Sequence, residues 1–166
     1  MRRHALKSLL GLTAAACLAG LTGCGFQLRG QAALPFDSAW VVASETSNVA
    51  NALRRSLSSQ LKLAPNPNSA QLRIALDREK YGKRILALSG GGKVREFRLD
   101  YQVYFSVTDA TGKILVEPTE IHLYSDFSFT DAQVLAKEAE EASLKRAMEQ
   151  DALRQILRRL AYLKTS

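Results

Sequence analysis

From Phe97 to Thr108 the chain alternates without interruption, with Phe97, Leu99, Tyr101, Val103, Phe105 and Val107 on one side and Arg98, Asp100, Gln102, Tyr104, Ser106 and Thr108 on the other. A period of two held this long specifies a strand with one buried and one solvated face, and a slip of one residue would expose the whole apolar row. Asp109-Ala110-Thr111-Gly112 reads as a hairpin connection, so an antiparallel partner follows. Pro118 places a defect in that partner; beyond it Ile121, Leu123, Phe127 and Phe129 share one face, and Glu120, His122, Tyr124 and Asp126 the other. Upstream, Leu72, Ile74 and Leu76 alternate in a strand that resumes near Ile85 to Leu88, before a turn at Ser89-Gly90-Gly91-Gly92. Ala39 to Ala43 reads as a short buried strand.

Such a sheet needs an apolar cover, and two segments supply it. Val49, Leu53, Leu57 and Leu61 recur every four residues behind a cap at Thr46 or Ser47, and Pro65-Asn66-Pro67-Asn68 stops that helix. The stretch from about Asp131 to Leu163 is poor in Gly and Pro and carries the stripe Leu144, Met148, Ala152, Ile156, Leu160. Its early half is acidic and its late half basic, matching the helix dipole. At 1.5 Å per residue it would run about 50 Å, longer than a four-stranded sheet is wide, which predicts a break or an overhang in its first turns. The expected fold is α+β: a two-layer sandwich of about four strands, mixed and mostly antiparallel, with two helices on one face. The open face would carry Arg98, Gln102, Tyr104, His122 and Tyr124.

The N-terminus has a different character. Arg2, Arg3 and Lys7 precede an apolar run from Leu9 to Leu21, the layout of a cleaved signal peptide over residues 1–23. That run falls short of the roughly 20 apolar residues of a spanning helix. Leu21-Thr22-Gly23-Cys24 resembles a bacterial lipobox, which implies that Cys24 becomes the first mature residue, carrying S-diacylglycerol and an N-acyl chain. Two or more acyl chains make membrane attachment durable, whereas one binds reversibly. Cys17 is a weaker acceptor, because Ala14 stands where the box prefers Leu. Gly25, rather than Asp, after the cysteine points to the outer membrane. Residues 24–166 then form a single lipid-anchored domain without a disulfide, since Cys17 and Cys24 are the only cysteines.

Charge is concentrated. The leader takes three of the 23 basic residues and none of the 16 acidic ones, leaving 20 against 16. Between Arg73 and Arg98 lie eight basic residues (Arg73, Arg78, Lys80, Lys83, Arg84, Lys93, Arg95, Arg98) and three acidic ones (Asp77, Glu79, Glu96). Such a field attracts polyanions. A lipid-tethered envelope protein is poorly placed for nucleic acid, and phosphorylated glycolipid suits Arg and Lys better. No catalytic constellation is expected: His122 is the lone histidine of the mature chain, no free Cys remains to bind metal, and Gly90-Gly91-Gly92-Lys93 lacks the Walker pattern, with Ala87 and Val94 at its ends. No cofactor is called for beyond the covalent lipid on Cys24.

Cys24-Gly25-Phe26-Gln27-Leu28-Arg29, Arg95-Glu96-Phe97-Arg98-Leu99 and Gln133-Val134-Leu135-Ala136-Lys137-Glu138 together resemble, in order and spacing, the LPS-assembly lipoprotein family LptE (RlpB). The resemblance implies a non-enzymatic outer-membrane lipoprotein that plugs the β-barrel LptD one to one, supports its assembly, and helps deliver lipopolysaccharide to the outer leaflet. Lys93 and Arg95, by charge and loop position, and Lys137, by motif match, are the expected lipopolysaccharide contacts. The competing expectation is a structural or adaptor lipoprotein of another cell-envelope complex.

Overall fold

The structure, a computed structural model, describes residues 34–130 and 134–163. The leader, the lipobox residues Leu21, Thr22 and Gly23, the acceptor Cys24 and the Gly25–Arg29 motif lie outside the described residues. Strand β1 (Ser38–Val42) is followed by helix α1 (Asn48–Ser58), then strands β2 (Lys62–Leu63), β3 (Leu72–Leu88), β4 (Val94–Asp109) and β5 (Ile114–Ser128), and finally helix α2 (Val134–Ala161). The sheet order is β2-β1-β3-β4-β5; β1 runs parallel to β2 and β3, and β3, β4 and β5 are antiparallel. This is the expected mixed α+β sandwich, with a two-residue fifth strand added at one edge.

The alternation in β4 does what its pattern requires. Leu99, Tyr101, Val103, Phe105 and Val107 are at most 1 % exposed and join Val49, Leu53 and Leu57 of α1 and Met148, Ala152, Ile156 and Leu160 of α2 in one core. Each fully buried Leu or Ile contributes about 1.5–3 kcal/mol of transfer free energy. Both helices therefore cover the same face. Ser47 caps α1, its Oγ accepting from Ala50 N at 3.0 Å.

Two boundaries differ from the sequence expectation. Helix α1 stops at Ser58 rather than reaching Leu61: Gln60 N and Leu61 N both donate to Leu57 O, which closes the helix, and Leu63 then pairs with Ala39. The helical spacing of Leu61 was real but served a different contact, since it packs on the core from the turn. Strand β3 is continuous from Leu72 to Leu88 where two pieces were expected. The reason is a bulge. Register shifts between Leu76 and Arg78, so Asp77 is the extra residue, and from there the inward row passes to Glu79, Tyr81, Lys83 and Ile85, opposite Val103, Tyr101, Leu99 and Phe97. Polar residues on the inward row conceal the strand from a hydrophobicity count.

Helix α2 is unbroken over its 28 residues, about 42 Å long. Its buried residues all lie from Met148 onward, and Leu135 is 82 % exposed, so the early turns overhang the core. Pro118 coincides with the predicted defect: between Phe105↔Thr119 and Val107↔Val116 the register of β5 slips, an irregularity tolerated because β5 is an edge strand.

Candidate functional site

The β3–β4 hairpin ends in a tight turn in which Ser89 N donates to Lys93 O at 2.8 Å and Gly92 N to Ser89 O at 2.9 Å. Gly92 sits at φ 76°, the left-handed region where a side chain is strained, which accounts for one glycine of the run. Lys93 and Arg95 are exposed there, beside the exposed apolar residues Ile85, Leu86 and Leu88. The hairpin is tied to the end of β5, because Phe129 N donates to Arg95 O at 2.8 Å. Beneath it Phe97 stacks with Phe127 (centroids 5.8 Å apart) and meets Phe129 edge-on (5.2 Å).

Lys137 reaches the same end of the sheet by another route. Its ammonium donates to Ser128 Oγ at 3.3 Å and Glu140 Oε2 at 2.8 Å, and its side chain is only 13 % exposed. The structure thus joins both Arg95, through its carbonyl, and Lys137, through its ammonium, to the Ser128–Phe129 segment, with Lys93 at the hairpin turn. Lys93 and Arg95 present charge outward, whereas Lys137 pins the first turn of α2 to β5.

Sequence reasoning missed the cluster that holds hairpin and helix together. Lys83 Nζ donates to Glu141 Oε2, Tyr81 Oη donates to Glu141 Oε1 at 2.8 Å, and Lys83 also lies 4.3 Å from the Phe97 ring centroid. Burial, and then the hydrogen bond to Glu141, push the Tyr81 phenol well above its ordinary value. Burial acts to raise the Glu141 carboxyl, but the hydrogen bonds from Lys83 and Tyr81 outweigh it and leave the group below its ordinary value. No sequence signal marked the cluster: the Asp77 bulge, which turns Tyr81 and Lys83 toward the helices, shows only in the paired strands.

The opposite face of the sheet carries a ladder of paired charges. Arg98 binds Asp126 bidentately at 2.6 Å and lies over Tyr124; Arg84 Nε donates to Asp100 Oδ2 at 2.9 Å; His122 Nε2 lies 3.2 Å from Asp100 Oδ1. Arg84, and less strongly His122, hold Asp100 below its ordinary pKa, and Arg98 does the same for Asp126. A carboxylate with a lowered folded pKa stabilises the native state fully above the unfolded value of about 4, and that stability is lost as pH falls through the lowered value. The urea midpoint is therefore expected to hold from pH 7 to about 5 and to fall below about 4. Glu141→Gln should flatten part of that fall; an identical pH profile in the variant would show that Glu141 carries none of it.

Among the described residues no helix is long and apolar enough to cross a membrane, and no group of three or more His, Cys, Asp or Glu side chains is placed to hold a metal ion. The sandwich ends in a hairpin that is basic and partly apolar, a surface suited to binding. The family model described as LptE, Lipopolysaccharide-assembly, matches residues 37–160, and the chain belongs to that family. The solution structure of uncharacterized lipoprotein B from Nitrosomonas europaea is 39 % identical, with a TM-score of 0.70 over 81 % of this chain and 88 % of that one. Rare lipoprotein B from Shewanella oneidensis (24 % identity, TM-score 0.66, 75 % and 94 % covered) and a minor lipoprotein from Acinetobacter baumannii (21 %, 0.62, 77 % and 92 %) share the fold. Among curated proteins none matches the chain.

Proposed function

We propose that this protein is a lipid-anchored, non-enzymatic component of the outer-membrane lipopolysaccharide translocon. It is attached through Cys24, plugs the β-barrel LptD one to one, and engages lipopolysaccharide at the hairpin end. The observation that carries this reading is the match of the LptE family model to residues 37–160. The exposed Lys93 and Arg95 beside Ile85, Leu86 and Leu88 support it chemically, because cations flanking apolar residues suit a phosphorylated glycolipid. The adaptor reading shares the fold and the anchor but supplies no reason for a family match to lipopolysaccharide assembly.

Within this reading the three basic residues have different roles, and variants separate them. Lys93→Glu with Arg95→Glu is expected to reduce lipopolysaccharide binding by about tenfold or more at an unchanged thermal midpoint, since exposed charges add little to stability. Lys137→Glu is expected to cost about 1 kcal/mol of stability, because it breaks two hydrogen bonds of a largely buried ammonium. Binding to immobilised lipopolysaccharide and thermal melts report the two effects. Unchanged binding by the double variant would remove Lys93 and Arg95 from the site.

A further inference from the structure

A strand at the edge of a sheet presents a row of unpaired backbone groups, and folded proteins shield such rows by keeping the strand short, breaking it with proline or a bulge, placing lysine on it, or covering it. The two edges of this sheet differ in that respect. At one edge β2 is shielded by its length of two residues. At the other, β5 is shielded only in its first part, where Pro118 and the register slip interrupt it. From Phe105↔Thr119 to Glu96↔Ser128 its pairing with β4 is regular, and this part carries no proline, lysine or bulge.

The register states which groups are open. Phe129 N donates to Arg95 O, so Arg95 and Phe129 form a hydrogen-bonded pair, and in an antiparallel ladder such pairs alternate with non-bonded ones. Ile121, Leu123, Ser125 and Phe127 therefore direct their N–H and C=O groups at β4. Glu120, His122, Tyr124, Asp126 and Ser128 direct theirs the other way, outward in the plane of the sheet. Among the described residues no strand pairs with this outer edge, and these residues are all exposed, Tyr124 at 65 %. The row offers a donor and an acceptor about every 7 Å, the repeat of two strand residues, and is a template for one more strand.

Charge selects what can pair there. β5 carries Glu117, Glu120 and Asp126 and no Lys or Arg, in a chain of formal net charge +7. A second copy would set one acidic strand against another, and like charges across a ladder are destabilising. The strands of a closed barrel have no free edge to give. A segment with Lys or Arg on alternate residues instead places its cations beside Glu120 and Asp126. Arg98 already engages Asp126, and Tyr104 engages Glu120, but a carboxylate has about four acceptor sites. We propose that the outer edge of β5 is a strand-addition site for an extended, basic segment of a partner protein. The main contact is through backbone groups in the plane of the sheet. It draws on neither the hairpin cations Lys93 and Arg95 nor the open-face side chains of β3 and β4, and it stands apart from the lipopolysaccharide reading.

The test titrates the full-length protein in mild detergent with the end-blocked peptide Lys-Val-Thr-Val-Thr-Val-Lys, and in parallel with the same peptide carrying Glu for Lys, while following backbone amide shifts and hydrogen exchange. Tyr124→Pro removes an outward N–H and leaves the bonds to β4 in place, at a position where an edge strand tolerates proline. The expected result is saturable binding of the Lys peptide with slowed exchange at Glu120, His122, Tyr124, Asp126 and Ser128. Affinity should fall about tenfold or more in Tyr124→Pro at a similar thermal midpoint, and by a smaller factor in Glu120→Lys, which carries the test should the proline variant not fold. Lack of binding by the native protein overturns the proposal, as does undiminished binding by a folded Tyr124→Pro or by Glu120→Lys. Equal binding of the Glu peptide overturns the basic assignment. A dimer in light scattering that Tyr124→Pro dissolves gives the edge to a second copy and overturns the partner assignment.

Discussion

Phe105→Ala is expected to lower the unfolding free energy by about 3–5 kcal/mol, a large part of the margin of a domain this size. Phe105 is fully buried in the second half of β4, opposite Leu76 on one neighbour and Thr119 on the other. Both flanking strands lose register beside it, at Leu76/Arg78 and at Phe105/Val107, so its ring fills the core next to two irregularities of the sheet. Arg159 of α2 lies 5.4 Å from the ring centroid, which adds a contact to the helix layer. Removing the ring leaves a cavity that α2 and β4 can close only by moving together. Urea unfolding followed by circular dichroism measures the effect. Ser106→Ala, one residue along on the open face, should change stability by less than about 0.5 kcal/mol. A loss below about 1 kcal/mol for Phe105→Ala would mean that the site collapses easily and that the core is looser than its burial indicates.

The fold was legible where one signal acted alone. The alternation in β4 set the strand, its inward face and hence the helical cover, and the Leu and Ile stripe of α2 from Met148 onward entered the core as its spacing required. Pro118 marked the irregularity in β5. Legibility failed where two signals overlapped. Leu61 continues the helical spacing of α1 yet packs from a turn, because the parallel pairing of Leu63 with Ala39 competes for the chain just beyond it. In β3 the Asp77 bulge exchanges the two faces, so Glu79, Tyr81 and Lys83 occupy inward positions that a period-two count assigns to apolar residues.

The candidate site divides along the same line. The exposure of Lys93 and Arg95 followed from a turn sequence rich in glycine, which is local information. The anchoring role of Lys137 did not, because Ser128 meets it only when α2 folds back on β5, whereas Glu140 is a local partner three residues on in the same helix. The Glu141 cluster is likewise a product of register and packing, invisible until the Asp77 bulge turns Tyr81 and Lys83 toward α2.

In the proposed reading, stable association with a single large barrel carries the largest functional effect expected of this chain, because a plug without its barrel would have no lumen to occupy. In the same reading a lipid on Cys24 would hold the domain at the membrane at about 0.8 kcal/mol per buried CH₂, but it would not choose a partner. That choice falls to the folded domain. The open sheet face offers paired charges and half-buried Tyr104 and Gln102, chemistry suited to the polar interior of a barrel. Association through such a surface should survive mild detergent, and Lys93→Glu with Arg95→Glu should leave it intact while weakening lipopolysaccharide binding.

The deciding measurement is to tag the C-terminus, extract outer membranes in mild detergent, and determine by mass spectrometry which protein is recovered in stoichiometric amount. The account predicts one large β-barrel protein at one to one, and a mature N-terminal peptide that begins at lipid-modified Cys24. Recovery of the lipidated protein from the outer membrane without any barrel would contradict it.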